Sequence, residues 1–314
     1  MPMRPLALFV SVAILAACSA CATGGKAPVP TNPYYNKGVR ALSGGDRLAT
    51  RGCNRKAMES YFKAVELFTL ADDQKALAAC YNNIGNLYLE NGQYDDALVY
   101  YGQAQWIHTR SGNTEGQIRV LTNMAAAHLA KGSAAEAEAH LDRVKNIASS
   151  AGISWPQMDI VRANLLRETG DTQGALALLQ TAKEKAKSPD ASLEASLHVA
   201  FGKSYVATGR FEEALTEFSD ALDVDRGRGA LHRMAGDLRE MGRCLTAMDQ
   251  KEEAAWHLER ALGIAVLLGA DTEQKAIQGL LTDLTGEPTA PSMPVSGYFL
   301  ERWTHGESTA SPCD

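Results

Sequence analysis

The stretch YNNIGNLYLENGQYDDALVYYGQA, Tyr81 to Ala104, decides the fold. Its small residues Gly85 and Ala97 stand where two helices can touch, Tyr88 and Tyr101 fill the space beside them, and Gly92 breaks the chain between. That is the pattern of one helical hairpin, and it recurs. The alanine of the second helix returns at Ala57, Ala97, Ala137, Ala175, Ala214 and Ala254, with spacings of 40, 40, 38, 39 and 40 residues. Four places on stand Tyr61, Tyr101, Leu141, Leu179, Phe218 and Leu258, and the small residue of the first helix returns as Gly45, Gly85, Ala125, Ala163, Gly202 and Gly242. The turn glycine is present at Gly52, Gly92, Gly132, Gly170 and Gly209. Six agreeing registers predict six stacked hairpins. Beyond them, Ala276, Ile277, Leu280, Leu281 and Leu284 lie on one side of a further amphipathic helix, Glu273 to Leu284, that seals the last hairpin.

This frame resembles the tetratricopeptide repeat, whose W-x₂-L-G-x₂-Y then A-x₃-F pattern it reproduces with aromatic and aliphatic substitutions over most of Lys37 to Ala270. The resemblance implies an all-α fold: a right-handed α-α superhelix of about six hairpins plus a C-terminal capping helix. The usual period is 34, so the four to six extra residues per repeat belong in longer helices or longer turns, as in the kinesin light chain group. Two departures mark the first and sixth hairpins as irregular caps. Gly44 and Gly45 lie inside a helix, and Asp249 stands where a turn glycine is expected.

In such a superhelix the first helix of each hairpin lines the concave face, where the resemblance implies that an extended peptide or a partner helix is held. The inward places are Asn82, Asn83, Asn86 and Glu90, then Arg119, Thr122 and Asn123, then Asn164 and Arg167, then Lys203, and last Arg239 and Arg243. Asparagine is a poor helix former, yet its amide offers a donor and an acceptor to any peptide backbone. Two readings stay open: the asparagines grip a backbone, as in the longer-period relatives, or they solvate the face and bridge adjacent helices. The carboxylate clamp of some tetratricopeptide domains is not reproduced, because Asn82 stands where its first lysine is needed.

The N-terminus gives an address. Arg4 is followed by twelve uncharged residues, Leu6 to Ala17, too few to span a bilayer but right for the apolar part of a secretory signal. The ending Leu15-Ala16-Ala17-Cys18 resembles the bacterial lipoprotein signal, which makes Cys18 the lipidated mature N-terminus; cleavage after Ala20 or Ala22 is the ordinary alternative. Ser19, in place of the aspartate that holds such proteins at the inner membrane, favours the outer membrane, facing the periplasm. The expected organisation is therefore a signal peptide over 1–17, a lipidated cysteine and flexible tether over 18–33, the repeat domain over 34–285, and a Pro-rich tail over 286–314 with an aromatic island at Tyr298, Phe299 and Trp303.

With 31 Lys and Arg against 37 Asp and Glu, the net charge of −6 speaks against a phosphate-gripping nucleic-acid binder. No metalloprotease, nucleophile-elbow, phosphate-loop or dinucleotide motif occurs, and the seven histidines form no metal-ligand spacing, so neither a catalytic site nor a metal site is expected. His128 takes the register of Tyr88 and reads as a core filler. Besides Cys18 there are five cysteines, and sequence alone assigns no disulfide among them. The expected function is a scaffold or adaptor anchored by lipid on Cys18, with no other cofactor, binding a protein or peptide partner in the cell envelope. A self-associating structural component is the alternative.

Overall fold

The structure, a computed structural model, describes residues 32–186, 188–286 and 313. Within them the fold is all-α: thirteen helices, twelve of them paired into six antiparallel hairpins that stack into a superhelix. The hairpins are α1 (Pro33–Thr50) with α2 (Asn54–Ala71), α3 (Gln74–Glu90) with α4 (Tyr94–Arg110), α5 (Thr114–Ala130) with α6 (Ala134–Ala151), and α7 (Pro156–Glu168) with α8 (Thr172–Lys185). Then come α9 (Ala191–Ala207) with α10 (Phe211–Arg228), α11 (Leu231–Ala247) with α12 (Lys251–Leu268), and α13 (Asp271–Thr285) alone at the end.

The repeat frame accounts for the packing within each pair. Ala97, Tyr101 and Ala104 are fully buried, and a Cβ placed on Gly85 would come within 2.5 Å of the Tyr101 ring. Gly45 stands in the same relation to Tyr61, so the Gly44-Gly45 pair does not break α1: one glycine is required by the ring and the other meets nothing. The sixth hairpin is equally regular. Asp249 adopts φ 59° and makes the left-handed turn that glycine makes in the other five hairpins, a conformation Asp tolerates better than most residues. Neither end hairpin is irregular. The extra residues of the period lie in the helices: those of the six hairpins are 17 or 18 residues long except α7 with 13 and α8 with 14.

Side-chain caps fix where several helices begin. Asn32, Asp73, Asn113 and Asp190 accept backbone N–H bonds at the starts of α1, α3, α5 and α9, each about 1 kcal/mol better than an alanine there. Two features bring the ends of the superhelix together. The turn of the first hairpin reaches the sixth: a Cβ on Gly52 would lie 3.0 Å from His232 Cβ and 3.0 Å from Leu268 Cδ1. Cys53, the next residue, is disulfide-bonded to Cys313. The sequence does not reveal this bond, because its cysteines are 260 positions apart and the turn at Cys53 meets the C-terminal side only once the superhelix has closed. No helix among the described residues is long and apolar enough to cross a membrane. Cys18, the lipoprotein signal and the tail aromatics lie outside the described residues.

Candidate functional site: the lumen of the superhelix

Closure turns the concave face into a lumen lined by the odd-numbered helices. At its N-terminal end the asparagines form a ladder. Asn123 of α5 donates to Asn82 Oδ1 at 2.8 Å and to Asn86 Oδ1 at 3.1 Å. Asn82 donates to Asn83 Oδ1 at 3.3 Å, and Asn83 donates to Asp46 of α1 at 2.8 Å. Tyr101 OH donates to Asn86 at 2.7 Å and Tyr61 OH to Asp46 at 3.0 Å, joining the ladder to the two packed rings. Asn82 is only 6% exposed. The ladder therefore bridges α1, α3 and α5, and among the described residues it leaves the Asn86 amide hydrogens and the Asn123 oxygen unspent for a partner. Burial pushes the Asp46 carboxyl up, against the pull of its hydrogen bonds to Tyr61 and Asn83.

The other inward residues fare differently. Thr122 is buried, donating to the Ile118 carbonyl and accepting from Trp155 Nε1, and is no part of the surface. Arg119 is exposed, paired with Glu115 at 2.9 Å and lying over the Trp155 ring; with Asn82 and Asn83 it borders a cavity of about 500 Å³. Arg243 is exposed and reaches Glu240 at 3.4 Å.

Asn164, Lys203 and Arg239 come together in a separate cavity of about 380 Å³ between α7, α9, α11 and α13. Arg239 is locked, donating to both oxygens of Glu273 at 2.6 Å and to Glu240 at 2.8 Å. Lys203 makes no ion pair among the described residues, and burial pulls its pKa down. Two residues missed from the sequence line the same space. Arg233 pairs with fully buried Asp225 at 2.7 Å, and Asp237 is 4% exposed with no hydrogen-bond partner for its buried Oδ2. Burial, reinforced by the charge of Asp225, pushes Asp237 up to about 7. A signal for Asp237 existed: five places before the helix-A small residue, hairpins two to five carry Cys80, Val120, Met158 and Leu197, and the sixth carries an acid. A third cavity, about 290 Å³, is bordered from both ends of the chain, by Asp46, Asn83 and Asn86 on one side and Arg228 and Arg233 on the other. The predicted residues thus fall in separate stretches of one lumen and not in a single pocket.

Among the described residues one group could hold a metal ion, His198 with Glu217 and Asp220, whose ligand atoms lie within 4.8 Å of one another. Its geometry is already satisfied as an ion pair, with His198 Nδ1 2.7 Å from Glu217, and that hydrogen bond raises the histidine pKa. His128 stacks on His140 with ring centroids 5.2 Å apart.

Residues 73–279 match the model of the family T7SS, ESX-1 secretion system protein EccA1, N-terminal domain, about two-thirds of the chain. Photosystem I assembly protein Ycf3 of Cyanophora paradoxa is 26% identical over 124 residues, 40% of this chain and 62% of that protein, so less than two-thirds of the relative is spanned. Among solved structures, NprR in complex with its cognate peptide NprX superposes with a TM-score of 0.60 at 13% identity, over 96% of this chain and 90% of that one. A signal-transduction ATPase with a tetratricopeptide repeat sensor from Pyrococcus horikoshii gives a TM-score of 0.57 at 13% identity, over 86% of this chain but only 40% of its own. At such identities these two likenesses carry the tetratricopeptide superhelix alone.

Proposed function

Since the chain belongs to the family of the ESX-1 secretion system protein EccA1 N-terminal domain, we propose that it is a non-catalytic scaffold or adaptor, which binds a protein or peptide partner in its lumen to support assembly of a complex in the cell envelope. The observation that carries this reading is the asparagine ladder, which is held rigid by its own hydrogen bonds while the Asn86 hydrogens and the Asn123 oxygen remain for a backbone. Prearranged groups of this kind reduce the ordering cost of binding. NprR, of the same superhelical form, is solved with a peptide, and Ycf3 is an assembly protein, both in keeping with a partner-binding role.

For the address, the proposal is a lipoprotein anchored through Cys18 at the outer membrane and facing the periplasm. The lipobox-like ending at Cys18 supports it, and so does the Cys53–Cys313 disulfide, since such bonds persist in oxidising compartments outside the cytosol. Several acyl chains on one cysteine would hold the chain at the membrane and raise its local concentration there.

Photo-crosslinking in cells from Asn86 and Asn123, with Glu136 on α6 as the outward control, tests the reading. One envelope protein trapped only from the lumen positions supports an adaptor. Adducts to further copies of the chain, or equal trapping from Glu136, would replace it with the self-associating structural alternative. A Cys18→Ala variant should lose palmitate labelling; unchanged labelling would remove the anchor.

A further inference from the structure

The cavity between α7, α9, α11 and α13 holds two ionisable groups, Lys203 and Asp237, that make no hydrogen bond or close ion pair among the described residues, although Lys203 lies in the field of Glu240 and Glu168 and Asp237 in that of Arg233 and Lys203. Its arginines are spent, Arg233 on Asp225 and Arg239 on Glu240 and Glu273. What remains is the Lys203 ammonium on α9 and, on α11, the Asp237 carboxyl with its buried Oδ2 unpartnered; Asn164 of α7 lines the same space. A buried carboxyl without a hydrogen-bond donor is unfavourable, and so is a partly buried ammonium with no close ion-pair partner, so both groups are open to a ligand that satisfies them.

Gly236, the neighbour of Asp237, supplies an independent observation. It lies in the interior of α11, where glycine is the worst choice short of proline, and a Cβ built on it would meet no atom within 4 Å. On the same helix, Gly242 is required, because its Cβ would strike Leu258 at 2.6 Å. Packing demands one glycine and not the other. The bare backbone at Gly236 borders the cavity, opposite an apolar wall of Ile160, Val199 and Ala200. Its volume, about 380 Å³, lies at the small end of the range for small-molecule sites, roughly 300–1,000 Å³.

One cation and one acid, neither held in a close ion pair or hydrogen bond among the described residues, select the ligand class. A simple cation would leave Lys203 unmatched, a simple anion would leave Asp237 unmatched, and the internal backbone of a peptide carries neither charge. We propose that this cavity binds a free α-amino acid with a small aliphatic side chain, its ammonium on Asp237, its carboxylate on Lys203 and its side chain against Ile160 and Val199. Amino-acid binding here needs only the cavity, and it holds whether or not a protein partner occupies the rest of the lumen.

Calorimetric titration of the purified full chain with L-valine, valinamide and N-acetyl-L-valine is the test. Saturable binding of L-valine is expected, with both derivatives at least tenfold weaker because each lacks one of the two charges. Gly236→Leu, whose Cβ meets no atom within 4 Å and whose remaining side chain extends from a residue lining the cavity, should abolish the signal while the melting temperature stays level or rises. Asp237 faces Arg233 and Glu240 on its own helix, Asp225 on α10 and Lys203 on α9, and burial holds its pKa near 7. Proton release on binding at pH 6.5, seen as a buffer-dependent heat, is therefore expected from wild type and not from Asp237→Asn. No saturable heat with L-valine, or undiminished binding in Gly236→Leu, would overturn the proposal. Equal affinity for N-acetyl-L-valine would overturn it as well, because the cavity would then be reading a lone carboxylate.

Discussion

Two glycines in the middle of helices do opposite things, and a pair of one-atom changes separates them. Gly85→Ala pushes a methyl group to within 2.5 Å of the buried Tyr101 ring, so it should lower stability by about 1–2 kcal/mol, the overpacking cost outweighing the better helix propensity of alanine. Gly236→Ala meets nothing and should raise stability by about 0.5–1 kcal/mol. Thermal melts of the two variants check the signs, and a destabilised Gly236→Ala would mean that this backbone is in contact with something after all. Asp225 shows the other side of residue-scale energetics. It is fully buried and balanced by Arg228 at 2.8 Å and Arg233 at 2.7 Å, an arrangement expensive to break from one side because the partners stay charged.

Between elements, polar contacts tie hairpin to hairpin. Asn123→Ala removes both hydrogen bonds that join α5 to α3 and leaves the Asn82 oxygen buried without its donor, which should cost about 1–3 kcal/mol. Comparable melting of the variant and wild type would show that the ladder is dispensable for the fold. The α9–α10 contact is pH-dependent. The hydrogen bond that His198 donates to Glu217 raises the His198 pKa above its unfolded value, so its contribution is complete below about pH 6.5 and is lost as pH rises through the folded pKa. His198→Gln should therefore lower the melting temperature more at pH 6 than at pH 8.5; an equal loss at both would assign the contact to packing alone. Sequence conveyed the hairpins well, because each depends on residues about a dozen places apart, such as Gly85 and Ala97, whose small–large pattern repeats at a fixed period. The same pattern placed Asn82, Asn83, Asn86 and Asn123 on the concave side. It left open whether their amides face a ligand or each other, since that depends on Asp46 and Tyr101, residues in other helices. The sequence does not mark Asp237 as part of a site, because its neighbours in the cavity come from four helices spread over more than a hundred residues.

At the scale of the whole molecule, local rules run out, because a stack of hairpins determines each neighbour and not where the stack ends. Here the ends meet. Gly52, at φ 82°, lets the first turn approach His232 and Leu268 closely, and Cys53 beside it is bonded to Cys313. A solenoid with free ends frays from them, whereas tying them restricts the fraying of α1 and α2. Closing a loop across a sequence separation of 260 has a large chain-entropy effect in principle, and about 2–5 kcal/mol is the range observed for native disulfides. Because repeat arrays melt in parts, the loss on reduction should concentrate at the seam. Dithiothreitol should lower the melting temperature of the wild-type chain and speed amide exchange in α1, α2 and α13, while Cys313→Ser should show both effects without reductant and respond to it no further. Exchange that rises evenly through α3 to α12, or a wild type indifferent to reductant, would show that the contact at Gly52 holds the ends together without the bond.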